Sequence, residues 1–542
     1  MDQNRVSESD VVIIGAGSAG CVLAARLSED PKHSVTVLEA GGSDLNLWVR
    51  MPIGYGGAFY HPKLNWRYYT EPDAGLKGRQ SYWPRGKVVG GSSSINAMVF
   101  IRGQAADYDR WAEAGNKGWA YADLLPYFKK LETFQDGEDQ YRGGLGPITV
   151  RRIDRDVHPL SHDYVASAVA AGHTKNPDFN GATQEGVGLY QINTRKGFRC
   201  SAATGYLLPA LKRPNLTLTT HAQVTRILFE GTRATGVEYT QHGQTHRIMA
   251  RRQVVLSAGS IGSPQILQLS GVGDPDRLRA AGVTPLHSAP QVGKNLQDHI
   301  GYELIYRSKV PTLNKTLGSW LGRALAGAQY VLTRGGPLSL SVNQGGGFVK
   351  SDPSRDRPNI QLYFSPMSYT RAVPGVRRLM KPDSFEGFQI GMSNCHPASR
   401  GEIHIRTADP AMAPEITPNY LSAPQDLEEM VASMALLRAI AAQRPIADAI
   451  EEELRPGPNV TTPDEIADYI RSTAGSIFHP CGTCSMGPDA ATSVVGPDLK
   501  VHGLEGLTVA DASIMPILPS GNINAPAMMI GEKAAELIAA RI

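Results

Sequence analysis

Four apolar residues in a row, Val11 to Ile14, stop abruptly at Gly15. A run without alternation is what a strand buried on both faces requires. Gly17 and Gly20 follow, and then Cys21, Val22, Leu23, Ala24, Ala25 and Leu27, which read as a buried helix. Ser34 to Leu38 forms a second apolar strand and ends at Glu39. Strand, glycine turn, helix and strand make a βαβ unit. Beyond it the pattern changes. Residues 41–110 are rich in Gly, Tyr and Trp and lack long periodic segments, so they predict extended loops around a ligand. Residues 105–134 predict helix, in DYDRWAEAG and then ADLLPYFKKLETF.

Further along, Leu216 to His221 and Val224 to Tyr239 alternate like the strands of a hairpin. Val254 to Ser257 is an apolar strand followed by AGSIGSPQILQLSG, a second strand–glycine–helix pattern that is not a copy of the first. Residues 310–420 hold many Pro, Gly and aromatic residues with strand-like pieces, NIQLYF (359–364) and GFQIGM (387–392), and predict a separate antiparallel sheet domain. Trp320, Tyr330, Tyr363, Phe364 and Tyr369, in the loops at 310–385, suggest either an apolar entrance or buried packing. Leu427, Met430, Val431, Met434 and Leu437 recur at helical spacing after Pro424, and Pro445 stops that helix. Thr462, Pro463 and Glu465 form a capping box for another helix. Leu507 to Ala510 is a last short strand ending at Asp511, and Ala525 to Ile538 a final helix opened by Pro526. There is no regular internal repeat.

At 542 residues the chain exceeds one simple core, which implies two or more domains. The balance of 54 Lys and Arg against 51 Asp and Glu leaves a formal net charge of +3, with no long run of like charge. A nucleic-acid or anionic-membrane partner is not implied by such a balance. The first ten residues are polar and show no secretory signal pattern, and no stretch has the apolar length of a membrane span. Five cysteines do not make a disulfide framework. The simplest location is the cytoplasm, with peripheral attachment at the inner membrane as the alternative.

The chemistry gathers at the two ends. Gly15 allows a tight turn, Gly17 lets the backbone approach a pyrophosphate, and Gly20 lets the helix pack on the strand. The helix start offers free N–H groups and a positive dipole end to phosphate, and Glu39 can accept hydrogen bonds from ribose hydroxyls. This predicts a dinucleotide site without separating FAD from NAD. The loop RGKVVGGSSSINAMVFIRG (85–103) is either a flexible loop or a second contact with a phosphate or flavin ring. Near the C-terminus, His479 in FHPCGTCSMG and Asn524 in GNINAPAMM pair a base with a polar partner. A neutral imidazole can accept an alcohol proton near neutral pH, and an amide both donates and accepts. Asn522 competes with Asn524, its bland role being turn formation. Cys481 and Cys484 form a CxxC that lacks a second ligand pair, so small packed residues are favoured over a metal site. His299 and His502 read as structural. Asp511, at a strand end, is a candidate for cofactor contact.

These motifs together resemble the glucose–methanol–choline (GMC) oxidoreductases. The resemblance covers nearly the whole chain, in DVVIIGAGSAGCVLAARL with LEAG, PRGKVVGGSSSINAMVFIRG, SAGSIGSPQILQLSGVG, VGKNLQDH, HPCGTCSMG, VADASIMP and NINAPAMMIGEKAA. It implies an α/β fold (α+β overall): a Rossmann-like FAD-binding domain from 8–155, 196–305 and 470–542, and a substrate domain from 156–195 and 306–469 with an antiparallel sheet flanked by helices. By the family pattern, Gly15, Gly17, Ser18, Ala19, Gly20, Glu39 and Ala40 hold the ADP part of FAD, with Val224 on the adenine side. Arg85, Val89, Gly90, Gly91, Ser92, Asn96, Ala97, Met98 and Val99 run along the pyrophosphate and flavin. Ala258, Asp511, Ala512, Asn522, Asn524 and Ala525 close the site. His479 matches the catalytic histidine and Asn524 the second active-site position. Ile95 stands in the segment that carries the flavin-linking histidine of covalent members, which implies non-covalent FAD. Gln344 matches a substrate-sheet position that is a carboxylate in choline-type members, which weakens a quaternary-ammonium substrate. The implied activity is oxidation of a small-molecule alcohol, with hydride passing to flavin N5 and electrons to a quinone or dye. The alternatives are an oxidase using O2, a non-redox lyase, and a protein that keeps FAD only for folding.

Overall fold

The computed structural model describes residues 7–369 and 381–542. The polar hexapeptide that opens the chain and part of the aromatic-rich 310–385 stretch lie outside them.

The opening apolar run forms strand β1 (Ser7–Ile14), and Val11 to Ile14 are at most 2% exposed. Helix α1 (Ser18–Leu27) and strand β2 (Val35–Glu39) complete the βαβ unit, with Val11 beside Val35 and Ile13 beside Val37. The expected helix at 105–134 is two helices, α2 (Ala105–Glu113) and α3 (Tyr121–Leu131). It gives way at Glu132–Phe134 to a short strand, because Glu132 is drawn into a buried ion pair with Arg102 and Arg142. The chain then leaves the first layer through helix α4 (Pro159–Ala170) and strand β3 (Gly186–Leu189).

It returns with β4 (Leu216–Thr220), β5 (Ala222–Glu230), β6 (Arg233–Gln241) and the long β7 (Gln244–Leu256). The hairpin expected from 216–221 and 224–239 is corrected here. β4 pairs in parallel with β2, and the hairpin partners are β5 and β6. Alternation is a property of each strand and does not name its neighbour. Helix α5 (Gly259–Leu269) follows β7.

Strand β8 (Ile300–Ser308) opens the second layer, so the expected boundary at 305/306 falls inside a strand. Helix α6 (Trp320–Thr333) comes next, followed by β9 (Gly345–Val349), β10 (Ile360–Ser365) and β11 (Gly387–Asn394). Helices α7 (Pro424–Ala441) and α8 (Pro463–Thr473) follow, and strand β12 (Ile450–Arg455) between them joins this sheet beside β8. The capping box of α8 forms as read: Thr462 Oγ1 accepts from Glu465 N–H, and Glu465 accepts from Thr462 N–H. The last elements are β13 (Leu507–Val509) and helix α9 (Asn524–Ala539).

Two seven-stranded sheets result. One runs β4-β2-β1-β7-β6-β5, with β13 added beside β7. The other runs β12-β8-β11-β10-β9-β3, with Gly475–Ser476 added beside β8. In the first sheet β4, β2, β1, β7 and β13 are parallel, and the second is antiparallel throughout. Helix α9 packs on α1, where Gly531 lets the backbones close: a Cβ there would sit 2.9 Å from Ala19 O. The two chain ends are thereby held against each other.

Candidate active site

The carboxyl ends of the parallel strands face the antiparallel sheet across one large cavity of about 440 Å³. That edge is where open α/β sheets bind ligands. From the first sheet the lining includes Gly15, Gly17, Ser18, Ala19, Glu39, Ala40 and Val224. From the second it includes Tyr302, Glu303, Tyr363, Ser365, Gln389 and Met392, with His479, Asn522 and Asn524 between them.

The glycine turn is built for close approach. Gly15 has φ +96°, and a Cβ on it would meet Ser257 O at 2.6 Å. A Cβ on Gly20 would stand 1.9 Å from Gly15 O, so this third glycine seats α1 on the turn and does not line the cavity. Gly17 differs: a Cβ on it would touch only Ser257 O, at 3.8 Å, because its free side opens into the cavity. Glu39 braces the turn, accepting from Ala16 N–H at 2.9 Å and Gly41 N–H at 2.7 Å. Burial pushes its carboxyl up to about 7.

Three helices begin at the cavity, α1, α5 and α9, and none has a side-chain cap. The first amide of α5 is taken by Asp511 Oδ2, which also accepts from Ser263 Oγ. The starts of α1 and α9 keep their N–H groups and their positive dipole ends toward the cavity. Elsewhere α8 is capped by Thr462 and α6 by Ser319. A donor set of this kind suits a diphosphate at α1 and an electron-rich ring edge at α9, and apolar Ile14, Leu38 and Ile266 wall the space between. The FAD expected from the sequence fits.

His479 is 8% exposed and its imidazole is held well below the ordinary histidine range, by burial first and then by His299 and Arg85. Its protons can be assigned from fixed acceptors. His299 Nε2 lies 3.1 Å from Cys395 O, which can only accept, so His299 carries its proton there. Burial lowers His299 to about 4, so the ring is neutral and its Nδ1 is bare. His479 Nδ1, 2.9 Å from that bare nitrogen, is therefore the donor. His479 Nε2 is left with its lone pair, facing Asn522 Nδ2 at 3.2 Å. Asn522 is oriented in turn by Gln361 Nε2, which donates to its Oδ1 at 3.2 Å, while Gln361 Oε1 accepts from Tyr363 OH at 2.7 Å. Asp298, raised to about 6 by burial, accepts the backbone N–H of His479 at 2.7 Å and fixes the loop. Arg85 donates to Phe478 O at 2.6 Å.

Most of the expected site residues meet here, with corrections. Asn522, not Asn524, is the partner of His479. Asn524 is the first residue of α9, and its Oδ1 accepts from Ser18 Oγ at 2.8 Å, tying α9 to α1. Gln344 is off the cavity: its amide oxygen accepts from His158 N–H at 2.9 Å and Ser161 Oγ at 2.8 Å at the start of α4. Val89, Gly90 and Ala525 also lie off the lining, Gly90 donating its N–H to Ala16 O at 2.7 Å beneath the turn. Arg85, Gly91, Ser92, Ile95, Asn96, Ala97, Met98, Val99, Ala258, Asp511 and Ala512 do line it. Cys481 and Cys484 are free, buried thiols. His299, Gln361 and Glu303 are what the sequence reading missed. Glu303, on β8, lines the wall of the cavity.

Residues 9–301 match the N-terminal GMC oxidoreductase family model and residues 397–531 the C-terminal one. The alcohol dehydrogenase (acceptor) of Pseudomonas putida is 44% identical, over 98% of this chain and 96% of that protein. The oxygen-dependent choline dehydrogenase of Rhizobium rhizogenes is 42% identical, over 98% of this chain and 95% of that protein. Among solved structures, pyridoxine 4-oxidase from Mesorbium loti superposes with a TM-score of 0.87 at 31% identity, covering 97% of this chain and 98% of that one. An FAD-dependent oxidoreductase from Chaetomium thermophilum superposes at 0.89 with 26% identity, covering 98% and 99%.

Proposed function

The chain belongs to the GMC oxidoreductases, and from that membership and the cavity's geometry we propose that it oxidises the CH–OH group of a small alcohol to an aldehyde or ketone, with FAD as its bound cofactor. When bound, FAD supplies the hydride acceptor. Gly15, Gly17, Ser18 and Glu39 would hold its adenosine diphosphate part, Val224 its adenine side, and Arg85, Gly91 to Ala97, Asp511 and Ala512 its ring end. Ile95, a saturated hydrocarbon side chain, supports non-covalent binding.

The observation that carries this reading is the bare Nε2 of His479 facing the Nδ2 of Asn522 at 3.2 Å. An alcohol oxygen seated against both nitrogens from the cavity side would take a hydrogen bond from Asn522 and give its proton to His479, replacing their direct contact. The imidazole is neutral beforehand, as a base must be, and Asn522 cannot turn because Gln361 holds its carbonyl end. A fixed donor and acceptor around one oxygen aim the carbinol C–H, and such orientation can supply several kcal/mol of barrier lowering. The test is anaerobic bleaching of bound flavin by an alcohol. His479→Ala is expected to slow it by about a hundredfold or more, and Asn522→Ala by about tenfold. Asn524→Ala should leave the rate within about threefold, since that side chain serves the α1–α9 junction. An unchanged rate in His479→Ala with flavin still bound overturns the base assignment.

We assign the electrons to a quinone-like acceptor. The Pseudomonas putida relative is named for an acceptor and the Rhizobium rhizogenes relative for oxygen. Peroxide formation in air distinguishes the oxidase reading. The bleaching panel sets choline-like alcohols against neutral aliphatic and benzylic ones. The buried free cysteines go with a cytoplasmic setting.

A further inference from the structure

Helix α6 is inside out. Its exposed positions are Trp320, Leu321, Ala324, Leu325, Ala328, Val331 and Leu332, together with polar residues at its flanks. At about 100° per residue those seven fall on one continuous arc of about 140° that contains no polar side chain. Trp320 is 75% exposed and Leu332 83%. The buried side of the same helix is served by Ala326 and Tyr330. Surface helices of soluble proteins normally turn such an arc inward, so its exposure marks a contact surface.

The patch does not end with the helix. Tyr330 OH donates to Gly197 O at 2.9 Å, and Arg334 lies over the ring of Phe198, itself exposed. Arg199 Nε donates to Val49 O at 2.9 Å, which brings up Leu45, Leu47 and Trp48, all exposed. Phe198 thus adjoins α6 directly, and the segment of Leu45 to Trp48 is tied to the same turn through Arg199. Around them stand the exposed cations Arg195, Lys196, Lys315, Arg323 and Arg334, none of which forms an ion pair among the described residues. From Leu304 to Ser351 the sequence holds no Asp or Glu at all. Asp156, beside Gly335, is already paired with Arg151.

We propose that this face docks on a lipid bilayer carrying anionic headgroups, with the apolar arc of α6 lying in the interface and the surrounding cations against the lipid phosphates. An apolar arc with Trp and Leu flanked by Lys and Arg is the signature of an interfacial helix, and a segment from Leu304 to Ser351 that carries cations and no acid supplies the charge complementarity that selects an anionic surface over another protein's mixed one. No helix among the described residues is long and apolar enough to cross a membrane, so the contact is one of lying on. The surface also adjoins the cavity. Leu313 and Leu317, just before α6, pack in the same cluster as Tyr55, Phe59 and Tyr369, which line it. A docked molecule would hold that wall toward the lipid, where an apolar alcohol or acceptor is concentrated. The proposal stands apart from the base assignment at His479.

The experiment is cosedimentation of the full-length, FAD-loaded protein with vesicles of phosphatidylcholine alone or mixed with phosphatidylglycerol. Binding to the mixed vesicles is expected, weakening at high salt. Leu325→Asp/Leu332→Asp should abolish it, and each of Lys196→Glu, Lys315→Glu and Arg323→Glu should weaken it by about fivefold or more. Alcohol-to-dye activity in solution should stay unchanged in all of them, which shows they are folded and separates this test from that of the catalytic reading. No binding to mixed vesicles at low salt, or equal binding by the Leu325/Leu332 variant, overturns the proposal. So does a wild-type dimer in sedimentation that Leu332→Asp turns monomeric, since the occupant would then be a second copy of the chain.

Discussion

His299 decides which nitrogen of His479 keeps its lone pair. It does so with one proton, anchored on the carbonyl of Cys395, and by staying neutral. Its depressed titration, about 4 against the usual 6.5, is also a stability statement. The unfolded chain takes up a proton on this ring below about pH 6.5 and the folded chain resists until about 4. Stability from this group is therefore present above pH 6.5 and lost as pH falls toward 4, by about 3 kcal/mol at most. His299→Gln should remove that slope: the melting-temperature gap between it and wild type should be smaller at pH 5 than at pH 7.5. A gap that stays constant across that range would mean His299 is not held neutral. At this scale the sequence singled out His479, the proposed base, and hid its hydrogen-bond partners. Asn522 and Asn524 differ by two residues, and which one precedes the helix turn is decided by the Ser18 contact from the far end of the chain. Gln361 is read only once strand register is known, because alternation puts it with Tyr363 and Ser365 on the cavity face of β10. Glu303 is hidden for the same reason.

Elements that begin at the cavity were the most legible. The β1–α1–β2 unit could be placed from its apolar run and three glycines, because each glycine answers a local steric demand. Those demands now separate. Gly20→Ala would push a methyl against Gly15 O and should lower stability by about 2 kcal/mol or more, seen as a fall in the melting temperature of the flavin-free protein. Gly17→Ala adds its methyl to open space, so it should leave that melting temperature within a degree or two and weaken FAD retention instead. If both variants lose stability alike, Gly17 is a packing glycine and the cavity-facing role fails. Less legible were elements whose identity depends on a neighbour. β4 alternates like a hairpin strand and joins β2 because the parallel edge there is unfilled. Glu132 ends a helix because two buried arginines need a carboxylate.

On the scale of the whole molecule, a second, antiparallel sheet could be expected from the change in composition, while the point where the chain crosses into it could not. β8 carries the chain across that point within one strand. The site is assembled by the extremes of the chain: α1 and α9 are clasped by Ser18–Asn524 and by Arg26 with Glu532, bonded at 2.8–3.1 Å. A chain ending just before Asn524 should retain no flavin on purification, even where the β1–α1–β2 unit forms, and absorbance of the purified protein would show it. Full flavin content in that truncation would mean α9 is dispensable to the cavity.

The clasp between α1 and α9 has a consequence for how the protein is made. The glycine turn at Gly15–Gly20 leaves the ribosome long before the helix that begins at Asn524, with translation adding about 5–20 residues per second. For most of its synthesis the nascent chain therefore carries a half-built pocket, its small-residue helix bare of the partner that covers it. Cofactor loading becomes a post-synthetic event, and the interval before it is when chaperones and proteases compete for the chain.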